Sequence, residues 1–397
     1  MSDPLTTPQL VLPLRPLNEL YNVAHERPFS VLFANYSWAL GIAGGLALLW
    51  AINAWVEFRR GEFDAVEHRF SMPLIAALIV GGFVNVLAEV EQPGRLIFGY
   101  YLGWYTWDTA IIKYGIILLP IFLMLAWWLS FQSIPRQRLN EEISRLPGSW
   151  RKAADFFSLW SRHYSLFKSR AWTYAVLVVM VVLGLFAPLY SAVFLMNEHG
   201  IPVWNSPAEA MIFLASSIGV AAMMELVVMP ALAWAVTGRW AAAPQNNRWT
   251  AVIALAVCAV VWYGWMWWIG RFGTIEETRA ANLFMGPYGA EIFWNWTVAG
   301  LLVPILLLLT PLGRRPLAQA LACLGAVWGS YATRIGIVLG GEAINRSGAG
   351  YMTFHVSFDV LWYSGVSALL ALGILAALLA AIPRDGQFTT SQLPDKA

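Results

Sequence analysis

Long apolar runs separated by short polar stretches dominate the chain, and several exceed the roughly 18 residues that suggest a membrane span. They predict nine helices, over residues 32–56, 70–91, 108–131, 172–197, 208–236, 249–270, 291–313, 316–341 and 356–383. Lipid offers no partner to a backbone N–H or C=O, so each span is expected to be helical. The longer spans leave room for tilt. The expected fold class is therefore an all-α integral membrane protein. Residues 1–31 read as an irregular tail with five prolines, 32–383 as the membrane domain, and 384–397 as a second tail. The short apolar stretch Val11–Leu14 is interrupted by Pro13 and followed by Pro16, so it does not read as a cleavable signal.

Composition agrees with this pattern. Of 397 residues, 59% are hydrophobic and 12% charged, with a mean hydropathy of +0.59. A soluble enzyme, a disordered chain and a disulfide scaffold are all disfavoured, since ordinary domains carry about 25% charged residues. A net charge of +2 gives no reason to expect nucleic acid. Many of the 22 tryptophans sit near span ends, as interfacial rings do. Cys258 and Cys323 lie far apart inside apolar runs and read as small core residues. Of five histidines none lies inside a span and His355 is the nearest to one, whereas a transmembrane b-type haem needs a pair of imidazoles. Any redox role then calls for a diffusible organic carrier and a metal-bearing partner.

Lysine and arginine set the expected orientation. Six lie on the side of the N-terminal tail, seventeen on the other, and Lys113 and Arg334 inside spans. The positive-inside rule puts the N-terminus out and the C-terminus in. Eight of the seventeen fall in one loop, 132–171. That loop reads as a basic amphipathic segment against anionic lipid, or as a docking surface for a cytoplasmic partner.

Ionisable residues inside a membrane are costly and usually functional. Those found here gather towards the outer side: Tyr36 in the first span, Glu89 ending the second, Asp108 and Lys113 opening the third. Tyr190 lies near the outer end of the fourth, Arg334 and Glu342 of the eighth, and His355 and Asp359 open the ninth. Bland readings exist for several: Asp108 as a helix cap, Lys113 as a snorkelling chain, Glu342 as a loop residue, the tyrosines as belt residues. Glu89 and Arg334 are harder to explain that way. Together the group suggests an outward-opening pocket that handles protons. Glu225, past the middle of the fifth span, is a candidate for a proton path from the cytoplasm, with Asp359 as a second.

Several segments carry a resemblance. Tyr190-Ser191-Ala192-Val193-Phe194-Leu195 precedes Pro202-Val203-Trp204-Asn205-Ser206-Pro207 and Ile212-Phe213-Leu214-Ala215-Ser216-Ser217. This resembles the Y-(S/T)-G-x-x-L, P-x-W-N-x-P and L-F-x-x-S pattern of NrfD/polysulfide-reductase membrane subunits. Glu89-Val90-Glu91-Gln92-Pro93-Gly94-Arg95 is similar to that family's acidic turn after its second helix. Gly286-Pro287-Tyr288 with Phe293-Trp294, and the run Gly41-Ile42-Ala43-Gly44-Gly45, resemble two further segments. The likeness spans roughly residues 32–380. Lys113-Tyr114-Gly115 with Leu119-Pro120 is closest to the nine-helix tetrathionate-reductase-like branch.

The resemblance implies a quinone-reactive anchor in a bacterial inner membrane, with menaquinone or ubiquinone as bound substrate and no haem or iron–sulfur cluster in this chain. It implies an iron–sulfur electron-transfer subunit and a molybdopterin catalytic subunit as partners. Polysulfide, thiosulfate or tetrathionate reduction is the implied chemistry. Family quinone ligands include an Asn, a His and a Tyr. Tyr36 stands where the His is expected and Tyr190 at the Tyr, while the Asn position falls on Phe33, near Asn35. Glu89 matches the family's acidic position and is the expected catalytic group. Lys113, Asp108, Arg334 and His355 complete the expected quinone surroundings. A secondary transporter with buried charges, a purely structural anchor, and a quinone-reducing anchor of another respiratory complex are the competing readings.

Overall fold

The computed structural model describes residues 29–61, 69–90, 111–134, 136–161, 163, 169–198, 201, 203–238, 246–343 and 356–382. Among them nine helices are long and apolar enough to cross a membrane: α1 Val31–Arg60, α2 Ser71–Glu89, α3 Ile112–Gln132, α6 Arg170–Met196, α7 Pro207–Thr237, α8 Asn246–Phe272, α10 Gly289–Leu309, α11 Pro316–Ala343 and α12 Phe358–Ala380. Three shorter helices join them, α4 Arg136–Ser144, α5 Gly148–Phe157 and α9 Ile275–Met285. No strand occurs among the described residues. The chain is a multi-pass, all-α membrane protein.

Local chemistry sets the helix ends. Ser30 caps α1 by accepting from Leu32 N, and Gly61 closes it in the left-handed region at φ 75°, behind Arg59 and Arg60. Ser206 and Pro207 start α7 as a cap and a first-turn proline. α3 is described from Ile112, and the expected start at 108 lies outside the described residues. α10 stops at Leu309 rather than 313, because Pro311 holds Thr310 extended and opens a short 3-10 turn. Its first half, Ile292–Leu302, winds as a π-helix. α9 lies between two of the predicted spans; Thr274 and Glu277 build a capping box that starts it.

α1 is the axis of the bundle, packed by α2, α6, α7 and α11. The run Gly41 to Gly45 makes this possible. A Cβ at Gly44 would meet Pro188 and Gly184 of α6, and one at Gly45 would enter the Ser217 backbone of α7. α12 is the rim: 11% of its apolar window is buried, against 78% for α1. In the basic loop, Trp150, Phe156, Phe157 and Trp160 are exposed around α5. Trp127 of α3 pins this segment by donating from Nε1 to Phe157 O at 2.6 Å. An amphipathic helix at a membrane interface presents such a face.

The tail face is the side on which α1 begins; the loop face is the side on which α3 ends.

Candidate functional site

Two carboxylates fasten the start of α1 at the tail face. Phe29 N donates to Glu342 Oε1 of α11 at 2.7 Å. Ser30 donates twice to Glu89 of α2, from its backbone N–H and from Oγ, the latter at 2.5 Å to Oε2. Glu342 therefore does not behave as a free loop residue. Sequence reasoning anticipated an acid at Glu89 but not that it accepts from the cap of the first span.

Beneath this clamp lies an aromatic layer. Phe33 meets Phe29, Phe194 and Tyr36 at centroid distances of 4.4, 5.5 and 5.7 Å. Tyr190 stacks on Phe186 at 5.1 Å and tilts against Phe194 at 6.1 Å. The Tyr190 ring lies directly over Gly115 of α3, where a Cβ would overlap the phenol. The Tyr190 hydroxyl donates, at a long 3.5 Å, to Ile112 O. Tyr36 and Tyr190 are both buried, and their phenols lie within electrostatic reach of each other. The Tyr36 hydroxyl forms no hydrogen bond with any described residue. Lys113, two residues before Gly115, is buried at the same end of α3. The structure thus brings Tyr36, Tyr190 and Lys113 into one region, with Glu89 above.

Asn35 faces elsewhere. It belongs to a hydrogen-bond network among α1, α2, α11 and α12. Its Nδ2 donates to Asn85 Oδ1 at 3.2 Å and Ser364 Oγ at 2.8 Å, while Oδ1 accepts from the Tyr331 hydroxyl at 2.7 Å. Asn85 donates in turn to Gly81 O at 2.9 Å and to Ser367 Oγ. Asn35 and Tyr36 are neighbours in sequence but lie about 100° apart on α1, Asn35 facing α11 and α12 and Tyr36 the aromatic layer; both also border α2.

Arg334 is fully buried. Its Nη2 donates to Phe213 O at 2.9 Å and to Ser217 Oγ at 3.1 Å, and its guanidinium sits 3.3 Å from the Phe213 ring centroid. Among the described residues Nε and Nη1 find no hydrogen-bond partner. Glu209, in the first turn of α7, is 0% exposed, and neither carboxyl oxygen is hydrogen-bonded to a described residue. It lies within electrostatic reach of Arg334 without forming an ion pair. Sequence reasoning missed Glu209. As an acid just after Asn205-Ser206-Pro207 it looks like an ordinary helix-start residue, and only burial singles it out.

Glu225 lies towards the loop face and accepts from Asn53 Nδ2 at 3.3 Å and from Asn247 Nδ2. It joins α1, α7 and α8, far along α7 from the tyrosines. Asp359 is exposed in the first turn of α12. Asp108 and His355 lie outside the described residues.

Chemically, the Tyr36–Tyr190 region offers hydroxyls able to donate to or accept from a small polar head in an otherwise apolar layer. This is the usual make-up of a ligand pocket. Comparison with curated proteins returned no match. The family model described as polysulphide reductase, NrfD, matches residues 19–345, which takes in α1 to α11 and leaves α12 outside. That family comprises quinone-reactive membrane anchors of molybdoenzyme complexes, typically paired with iron–sulfur and molybdopterin subunits. With most of its length matched and its nine apolar helices in place, the chain belongs to the polysulphide reductase, NrfD family.

Proposed function

We propose that this chain is the quinol-reactive membrane subunit of an oxidoreductase acting on a sulfur compound such as polysulfide, thiosulfate or tetrathionate. Its iron–sulfur partner docks on the tail face and carries electrons to a molybdopterin subunit. The tail face is periplasmic and the loop face cytoplasmic, in a bacterial inner membrane. The observation that carries the reading is the buried phenol of Tyr36, which shares an aromatic layer with Tyr190 under the Glu89 clamp and forms no hydrogen bond with any described residue. Menaquinol or ubiquinol is the substrate that suits such a position.

In this reading Tyr36 and Tyr190 orient the quinol oxygens. Oxidation of a quinol by two electrons releases two protons, and a nearby carboxylate serves as acceptor or relay. Glu89 is the candidate, and its contacts add a condition. Among the described residues both its contacts are donations from Ser30, and a proton placed on Oε2 along the line to Ser30 Oγ would have the Ser30 hydroxyl turn to accept. Proton uptake is thereby tied to the cap of α1. Glu225, held by Asn53 and Asn247, is the corresponding group for a path from the loop face.

The test is Glu89→Gln in the assembled complex. Gln keeps an acceptor for Ser30 but takes no proton. Quinol-coupled turnover should fall by about a hundredfold or more, with quinol still bound; unchanged turnover rejects the role. A second reading, a secondary transporter, is favoured by one observation, the sealed Glu209 and Arg334. Solute flux through proteoliposomes lacking quinone and partner subunits would support it over the first.

A further inference from the structure

The network around Asn35 closes the apex of a cleft of about 350 Å³ between α1, α2, α11 and α12. Its volume lies within the roughly 300–1,000 Å³ usual for small-molecule sites. The walls are apolar or aromatic, with Trp38, Trp328 and Tyr331 on one side and Ala368 and Ala371 on the other. α12 rests on α2 and leaves α11 almost untouched, so the cleft opens sideways between these two helices, towards lipid. Trp328 stands half exposed at that lip.

The direction of every hydrogen bond at the apex can be deduced. Gly81 O can only accept, so the Asn85 amide must turn its NH2 towards it. Asn85 Oδ1 then faces Asn35, which must donate, and Asn35 Oδ1 is left facing Tyr331, which must donate in turn. Among the described residues the remaining donors are also spent: Ser364 on Val360 O, Ser367 on Gly81 O, Trp38 on Ser330 Oγ, Trp328 on Asn295 Oδ1. What the apex still offers is lone pairs, chiefly on Tyr331 Oη and Asn35 Oδ1. A head that fits must therefore bring hydroxyl donors. It must also be uncharged and small, because Asn35 is the fifth residue of α1 and Ser367 the tenth of α12. At 1.5 Å per residue they lie about 6 and 13 Å inside the helix ends, which a compact uncharged ring reaches more readily than a charged phospholipid headgroup does.

We propose that this cleft is a second binding site for the reduced, dihydroxy form of a lipid-soluble quinone, which reaches it laterally between α11 and α12. The proposal rests on the quinone reading above but concerns a different flank of α1 from Tyr36 and Tyr190. It also uses a helix outside the family-matched residues. A quinol donates its hydroxyls to Tyr331 and Asn35 while its ring lies among Trp38, Tyr331 and Trp328 and its tail trails into lipid. An oxidised quinone presents only acceptors to a surface of acceptors. One hydrogen bond gained or lost makes the preference for the reduced form about tenfold.

The test uses the purified full chain in phosphatidylcholine nanodiscs, with decylubiquinol and decylubiquinone as probes and equilibrium binding as readout. The expected result is two quinols per chain, the second removed by Ala368→Phe, which fills the cleft. Ser364→Ala, a small change on the rim helix, frees one Asn35 N–H towards the cleft. It should raise oxidised-quinone binding at that site by about tenfold, so that the preference disappears. One quinol per chain, unaffected by Ala368→Phe, overturns the cleft site and leaves the Tyr36 flank standing. Two quinols with both variants silent overturns the cleft as well. No quinol bound to the wild-type chain overturns the quinone reading itself.

Discussion

On one flank of α1, Tyr36 meets Tyr190 in an aromatic layer and keeps its hydroxyl unbonded among the described residues. One residue earlier on the other flank, Asn35 uses both its N–H groups and shares its oxygen with Tyr331. The first flank leaves a hydroxyl without a hydrogen bond among the described residues; the second is satisfied by hydrogen bonds and left open to lipid. A hydroxyl that is not already used can still pair with a ligand. A closed network stabilises the helices around it and can recognise only the complementary half of a donor–acceptor pair. The same helix thus provides a versatile site and a selective one, according to which groups are already used.

Four substitutions sharpen the contrast, taken from the largest effect down. Gly115→Leu would drive the Tyr190 ring from its seat. Quinol-coupled turnover of the assembled complex should drop about a hundredfold, the usual result of a misplacement near 1 Å. Thermal unfolding should show about 1–3 kcal/mol of destabilisation from overpacking. Tyr36→Phe removes a hydroxyl that supports no described contact, so turnover should fall about tenfold while the unfolding midpoint stays put. A lowered midpoint would mean that the hydroxyl is structural. Asn85→Ala has the opposite profile. It breaks the relay between Gly81, Ser367 and Asn35, and stability should fall by about 1–2 kcal/mol with turnover retained. Asp359→Asn, on an exposed first turn, should change stability by less than about 0.5 kcal/mol and leave turnover alone. A larger loss would draw the end of α12 into the site.

Much of the fold was legible because lipid imposes one rule on every span. Apolar length alone located nine helices, with ends displaced by a few residues where Pro311 or Ser357 intervened. The turn at Thr274 was legible in principle, since Thr-x-x-Glu marks a helix start, yet it lay inside a connection too polar to attract notice. The site was legible only in part. Tyr36, Tyr190 and Glu89 stand out as polar residues at one end of apolar runs. Asn85, Tyr331, Ser364 and Ser367 do not, because a single small polar residue in a span is unremarkable until its partners on three other helices are known. Glu209 was hidden for a related reason: a first-turn acid has a ready explanation at the surface, and only its burial removes that explanation.

The clamp at Phe29 has a consequence for biosynthesis. Its acceptor, Glu342, lies 313 residues downstream. At about 5–20 residues per second, a ribosome needs roughly 15 to 60 s to make the intervening chain. Until α11 is made, the only one of the two carboxylates that can hold the start of α1 is Glu89, once α2 has followed it. The start of α1 is thus among the last places to be finished, and a truncated product lacking α11 would be without the Phe29 contact.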